Sequence, residues 1–246
     1  DVPGADATLD DDIATVEALA ANVVSADEAS ELIAQVRTAG MNFLGKATPT
    51  SMYRPFNITF LVKNAAIDDN SGWSSKPTFG NSCLEYFQSS FDFHQTITRL
   101  PAGTYQLRAK AFQRPGAYDA VYNSYVSGTD NVNTILYAGD NSVKVCNIAA
   151  GARRARLHTD DVEVGNPKRY IPNSMASAEA YLKLTSYENE VATSLTESDS
   201  DLKIGIKCTS AGSGYWSVFD NFRLYYYGTI APETVTAIDR IETDES

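Results

Sequence analysis

Residues 8 to about 46 carry apolar side chains at spacings of three and four: Ile13, Val16, Ala20 and Val23, then Ala29, Leu32, Ile33 and Val36. Such spacing lines one face of a helix, so the pattern predicts two helices. Between them Ser25-Ala26-Asp27-Glu28 has the S-x-x-E form of a capping box, in which the serine caps N-terminal amides and the glutamate reaches back. The two helices therefore read as a hairpin. Asp10, Asp11 and Asp12 fall in the first turn of the first helix, where the helix dipole favours negative charge. Nothing in the pair carries chemistry, and it reads as a spacer or lid packed on the neighbouring domain.

Pro49 and Pro55 bracket a change of period. From Asn57 onward the chain alternates in short runs separated by turn residues, the pattern of a sandwich or barrel. The predicted strands are 57–63, 83–88, 91–100, 104–113, 132–137, 143–146, 188–195, 202–209 and 215–227. Pro101-Ala102-Gly103 and Gly139-Asp140-Asn141 supply turn chemistry between them. One helix interrupts the series, from Ser174 to about Leu184, capped by Asn173 or Ser174 after Pro172. Helices do not alternate regularly with strands, which excludes a parallel α/β sheet. The expected fold class is mainly β: an antiparallel jelly-roll β-sandwich preceded by a small helical hairpin. The expected boundaries are a hairpin over 1–48, the sandwich over 49–229 and a polar linker over 230–246.

The final strand is the most aromatic stretch. Trp216, Val218, Phe222, Leu224 and Tyr226 recur with the period of two expected of a face packed into a core. On that pattern Phe219, Arg223, Tyr225 and Tyr227 face the other way. Asp220 interrupts the inward series, and an inward carboxylate must be hydrogen-bonded, ion-paired or metal-bound.

Charge and composition narrow the function classes. A net charge of -11 and a pI near 4.6 argue against a nucleic-acid partner, which needs a basic face to neutralise phosphates. No run of about 18 apolar residues exists, so no membrane span is expected. Cys83, Cys146 and Cys208 are odd in number and without C-x-x-C spacing, which argues against a zinc site or a disulfide framework. The chain begins without a methionine, as a processed or truncated chain does. Residues 231–246 are polar and acidic, without the apolar content to add a core layer.

Six segments in collinear order add a resemblance. Phe60-Leu61-Val62-Lys63-Asn64-Ala65-Ala66-Ile67-Asp68, Gly72-Trp73, Phe91-Asp92-Phe93-His94-Gln95-Thr96-Ile97, Leu100-Pro101-Ala102-Gly103-Thr104-Tyr105, Ile204-Gly205-Ile206-Lys207 and Trp216-Ser217-Val218-Phe219-Asp220-Asn221-Phe222-Arg223-Leu224 together resemble the galactose-binding-domain-like jelly rolls. More narrowly, they resemble the versions found in exported proteins of gut Bacteroidetes that handle glycans. The resemblance covers about residues 56–228. It implies a non-catalytic module that binds carbohydrate, secreted or at the cell surface, beside further domains of a longer parent chain. Thr236-Ala237-Ile238-Asp239-Arg240-Ile241 looks like the linker before a C-terminal secretion or anchoring module. The family often holds a structural calcium ion where first and last strands meet, which implies Asp68 and Asp220 as ligands here.

A sugar site needs a flat aromatic face and planar polar groups for hydroxyls. Phe112 and Arg114 share the outward parity of their strand, opposite Tyr105, Leu107, Ala109 and Ala111. Beyond them Tyr118, Asp119, Tyr122, Asn123 and Tyr125 crowd a stretch containing Pro115 and Gly116, which reads as a long loop. Phe112, Arg114, Tyr118, Tyr122, Asn123 and Tyr125 are the preferred ligand residues, with Tyr215 and Trp216 at the rim. The bland alternative is a loop folding its own tyrosines onto the sandwich. Trp73 reads as packing. His94 and His158 are the two imidazoles, and no serine or cysteine motif accompanies them, so a nucleophilic triad is not expected. The basic run Arg153, Arg154 and Arg156 reads as a solvated loop. The second function class left open is a structural or adhesive surface module, and the third an accessory part of a glycoside hydrolase.

Overall fold

The computed structural model describes residues 25–49 and 51–235, and residues 14, 17, 18, 20 and 21 before them. The first predicted helix lies largely outside these residues, and so does the tail 236–246. The second predicted helix is α1 (Ala26–Leu44). The Ser25 side chain accepts from the Glu28 N–H at 3.2 Å, and its hydroxyl donates to the Glu28 carboxylate at 3.0 Å. The last turns of α1 place Met41, Phe43 and Leu44 on the sandwich core.

The strands are β1 (Phe56–Asn57), β2 (Thr78–Gly80), β3 (Cys83–Phe87), β4 (Phe91–Leu100), β5 (Gly103–Pro115), β6 (Thr134–Ala138), β7 (Asn141–Lys144), β8 (Cys146–Asn147), β9 (Val162–Val164), β10 (Arg169–Ile171), β11 (Glu188–Leu195), β12 (Ser200–Cys208) and β13 (Tyr215–Tyr226). They build a mainly antiparallel β-sandwich. One sheet runs β11-β5-β13-β3-β2, with β1 added to β13 and β8 to β5; the other runs β4-β12-β6-β7. The inward parity of β5, Tyr105, Leu107, Ala109 and Ala111, joins Phe93 and Ile97 of β4 and Ile204 and Ile206 of β12 in one buried cluster. Each large aliphatic side chain so buried contributes roughly 1.5–3 kcal/mol. The predicted strand 57–63 is shorter than expected. Asn57 takes the Thr59 N–H on its side chain, which turns the chain into a 3-10 turn over Thr59–Leu61.

The last strand departs from a single alternation. β13 pairs with β5 as Phe219↔Ala111 and Asp220↔Lys110, then resumes as Arg223↔Arg108, so a bulge stands between Asp220 and Arg223. Asn221 in this bulge takes a left-handed backbone with φ 52°. Phe222, Leu224 and Tyr226 face the sandwich core as expected, but Phe219 faces it too. Before the bulge the parity is reversed, and Trp216 and Val218 point to the outer face.

That outer face is not bare. Phe112, Trp216, Val218 and Cys83 form a second buried cluster with Val121, Ile148, Tyr181 and Tyr187. The covering layer comes from residues 117–187: α2 (Tyr118–Val126), the turn Ile148–Gly151, the β9-β10 hairpin, α3 (Met175–Leu182) and the turn Thr185–Tyr187. Asp161 ties it together, accepting from the Leu157 and His158 N–H groups at 2.7 and 3.0 Å, from Tyr181 at 3.0 Å and from Ser177. Past the bulge the same face is polar. There Lys110 and Arg223 pair with Glu188, and Arg108 pairs with Glu190.

The stretch after the sandwich also differs from expectation. Val235, at the end of α4 (Pro232–Val235), is buried against Ala192 and Tyr227, so residues 230–235 pack on the sheet rather than opening a linker.

Candidate functional site

Three side chains stand side by side on the outer face because of strand register. Trp216 of β13 lies opposite Phe87 of β3 on one side and Arg114 of β5 on the other. One step along, Val218 is flanked by Glu85 and Phe112. Cross-strand neighbours on one face lie within contact distance of each other, so this grid fixes the site without any loop. The Arg114 guanidinium lies over the Tyr118 ring at 4.4 Å and the Trp216 ring at 5.4 Å. Its Nε donates to the Gly214 carbonyl at 3.1 Å. Among the described residues its two terminal nitrogens make no hydrogen bond, and Arg114 lines a cleft of about 220 Å³.

Glu85, Phe87, Tyr118, Asn173, Ser174 and Trp216 complete that cleft. Trp216 is 4% exposed and donates its indole N–H to Glu85 at 2.6 Å, which fixes the carboxylate at the wall. Tyr118 donates its hydroxyl to the Asn173 side chain. Ser174 caps α3 and donates to Asp160 at 2.7 Å. Phe87 is 52% exposed, a flat ring at the mouth. The arrangement offers an aromatic face, guanidinium donors and carboxylate and amide groups within one small opening. At about 220 Å³ it falls below the roughly 300–1,000 Å³ that encloses a drug-sized ligand, so it suits one face of a single ring rather than engulfment.

The sequence-derived candidates separate. Arg114, Tyr118 and Trp216 meet in the cleft. Phe112 has the outward parity expected, but it is wholly buried between Tyr187 and Trp216 and has no surface for a ligand. The covering layer is the reason. The expected loop over 117–131 is largely the helix α2, and Tyr118, Tyr122 and Tyr125 follow its i, i+4, i+7 face. Tyr122 packs on the second core beside Gly165, where an added Cβ would run into its ring. Asn123 and Tyr125 lie on α2 and are not among the residues lining the cleft. Tyr215 has the opposite parity to Trp216, and its hydroxyl meets the Asn131 side chain at 3.5 Å. Local pattern does not single out Glu85 and Phe87, because their place depends on the pairing of β3 with β13. Asn173 and Ser174 carry a signal only as a helix cap.

Asp68 and Asp220 are close enough to feel each other's charge. Burial pushes the Asp220 carboxyl up to about 6; the Asn221 N–H, bonded at 2.6 Å, opposes this, and the charges of Asp68 and Glu179 add to it. Among the described residues no group of three or more His, Cys, Asp or Glu side chains gathers in a way that could hold a metal ion. Calcium takes six to eight oxygens, so backbone carbonyls would complete any calcium site built on these two carboxylates. Trp73 stacks on Phe93 at 4.5 Å and is packing, as expected.

No protein-family model matches this chain, and no curated protein does. Among solved structures, the carbohydrate-binding module TmCBM61 in complex with beta-1,4-galactotriose is similar at 15% identity and a TM-score of 0.35, over 68% of this chain and 97% of that one.

Proposed function

We propose that this chain is a non-catalytic carbohydrate-binding module of an exported or surface protein, and that it holds a sugar ring in the cleft of Arg114. The observation that carries the reading is the row Phe87, Trp216 and Arg114 across three strands, with Tyr118 stacked above the guanidinium. The exposed Phe87 ring supplies a stacking face for the C–H side of a sugar, and the terminal nitrogens of Arg114, the Glu85 carboxylate and the Asn173 amide address its hydroxyls. Among the described residues Glu85 is the one carboxylate lining the cleft. A glycosidase works with a pair of carboxylates roughly 5–10 Å apart, so the lone acid favours binding over hydrolysis. Export and additional domains of a longer parent chain rest on the sequence resemblance. A structural calcium at Asp68 and Asp220 is a separate proposal, tested by melting with and without a chelator.

A glycan array probed with wild type, Arg114→Ala and Phe87→Ala tests the site. Wild type is expected to bind a restricted set of neutral glycans, and each variant to lose roughly tenfold or more in affinity. Binding by neither wild type nor variants would transfer the chain to the second class, a surface module that mediates protein contacts.

A further inference from the structure

A second cleft, of about 560 Å³, lies between α1 and β4, the edge strand of the smaller sheet. Its floor is apolar, from Met41, Leu61 and Ile97, and its rim carries the three cations Arg37, Lys63 and Arg99. Asn42, Thr96 and Thr98 place neutral polar groups between them. Among the described residues none of those lining it is acidic, in a chain with 31 acidic and 20 basic side chains. A cationic cleft in so acidic a protein is a local inversion of the overall field.

The cations are held there and differ in how they are satisfied. Gln95 accepts from the Lys63 N–H at 2.9 Å and donates to the Lys63 carbonyl at 2.5 Å, which pins that backbone beside β4. Arg99 pairs with Asp199 at 3.1 Å on the open surface. Arg37 and Lys63 make no ion pair among the described residues. The Nε of Arg37 is buried with no hydrogen-bond partner there. The guanidinium of Arg37, which lines the cleft, is thus without an acceptor at Nε and without an ion-pair partner among the described residues, and an anion in the cleft gives its charge one.

We propose that this cleft binds an acidic oligosaccharide. Its carboxylate or sulfate group is met by Arg37 and Lys63, its hydroxyls by Asn42, Thr96 and Thr98, and the C–H face of a ring by Met41, Leu61 and Ile97. A volume of about 560 Å³ lies within the range of enclosing ligand sites and accommodates a short oligomer. The site is independent of the Arg114 cleft and stands whether or not that cleft takes sugar.

Titration calorimetry on the whole chain tests it, with trigalacturonate, its methyl ester, a monosulfated neutral trisaccharide and inorganic sulfate as probes. Trigalacturonate or the sulfated trisaccharide is expected to bind, and which one does identifies the acid group. The ester and the double variant Arg37→Gln/Lys63→Gln are each expected to lose roughly tenfold or more in affinity. Lys168→Gln, at an exposed residue that lines neither cleft, keeps wild-type affinity for the acidic probe. Equal affinity for acid and ester where trigalacturonate binds, wild-type affinity in a double variant with an unchanged melting midpoint, or no binding of either acidic probe overturns the proposal. Sulfate alone binding as tightly as the trisaccharide overturns the saccharide assignment. Should the double variant not fold, Lys63→Gln alone gives the same readout, because Gln95 holds Lys63 through its backbone and not its side chain.

Discussion

Asp220 shows what a single side chain contributes here. Its carboxyl is raised from 3.8 to about 6, first by burial and then by Asp68 and Glu179, and no cation of the chain pairs with it among the described residues. A carboxyl whose folded pKa lies above its unfolded value favours folding when protonated. The native state therefore holds more protons than the unfolded state between about pH 4 and 6, and stability falls as pH rises through that window. Asp220→Asn, which keeps an oxygen for the Asn221 N–H, is expected to raise stability by roughly 1–3 kcal/mol above pH 7 and to have no effect below about pH 4. Denaturant melts across that range check it. Added calcium separates the metal proposal, because an ion held by this carboxylate stabilises wild type and not the variant. A wild-type midpoint that ignores both calcium and chelator counts against the ion. The sequence marks Asp220 as the position to explain, because it breaks an apolar alternation. The direction the carboxylate faces is not legible there, because the bulge beside it reverses the parity of the strand.

At the scale of elements, β13 and α2 carry the differences between expectation and structure. The aromatic run from Trp216 to Tyr226 looks like one uninterrupted alternation, yet the bulge lets Phe219 and Phe222 share the sandwich core at a centroid distance of 6.1 Å. Asn221 sustains the bulge in a left-handed conformation that a β-branched residue resists. Asn221→Val is therefore expected to cost roughly 1–2 kcal/mol in a chemical-denaturation melt. An unchanged midpoint would mean that the strand repairs its register without the left-handed residue. A bulge is hard to read from sequence because one extra residue changes no composition and breaks no apolar run. α2 is legible in principle: Tyr118, Tyr122 and Tyr125 have helical spacing, but Pro115 and Gly116 just before them are equally the signature of a loop. The strands over 91–100 and 188–195 are legible to the residue, since Phe91, Phe93, Gln95 and Ile97 alternate with polar positions and polar turn residues bound both runs.

For the whole molecule the deciding feature is the layer over the outer face of the larger sheet. It turns Phe112 from a ligand residue into a core residue and leaves a small opening at its border, where Arg114, Trp216 and Phe87 meet Asn173. Phe112→Ala is expected to cost roughly 3–5 kcal/mol of stability, as a large buried side chain does when truncated. Phe87→Ala, at the exposed mouth, is expected to shift stability by less than about 0.5 kcal/mol while reducing glycan binding. Paired melts and binding isotherms check both, and a Phe112 variant of wild-type stability would show that the covering layer adds little. The sequence by itself determined the fold class, the inward parity of β5, the capped start of α1 and the polar character of the chain, because these follow from local periodicity and charge. Only the tertiary structure decided which outward residues remain accessible. Accessibility depends on segments far apart in the chain: Tyr118 meets Asn173 at a sequence separation of 55, and Trp216 meets Glu85 at one of 131. No local pattern encodes such pairings, since each is fixed by the register of the sheet and by what packs over it.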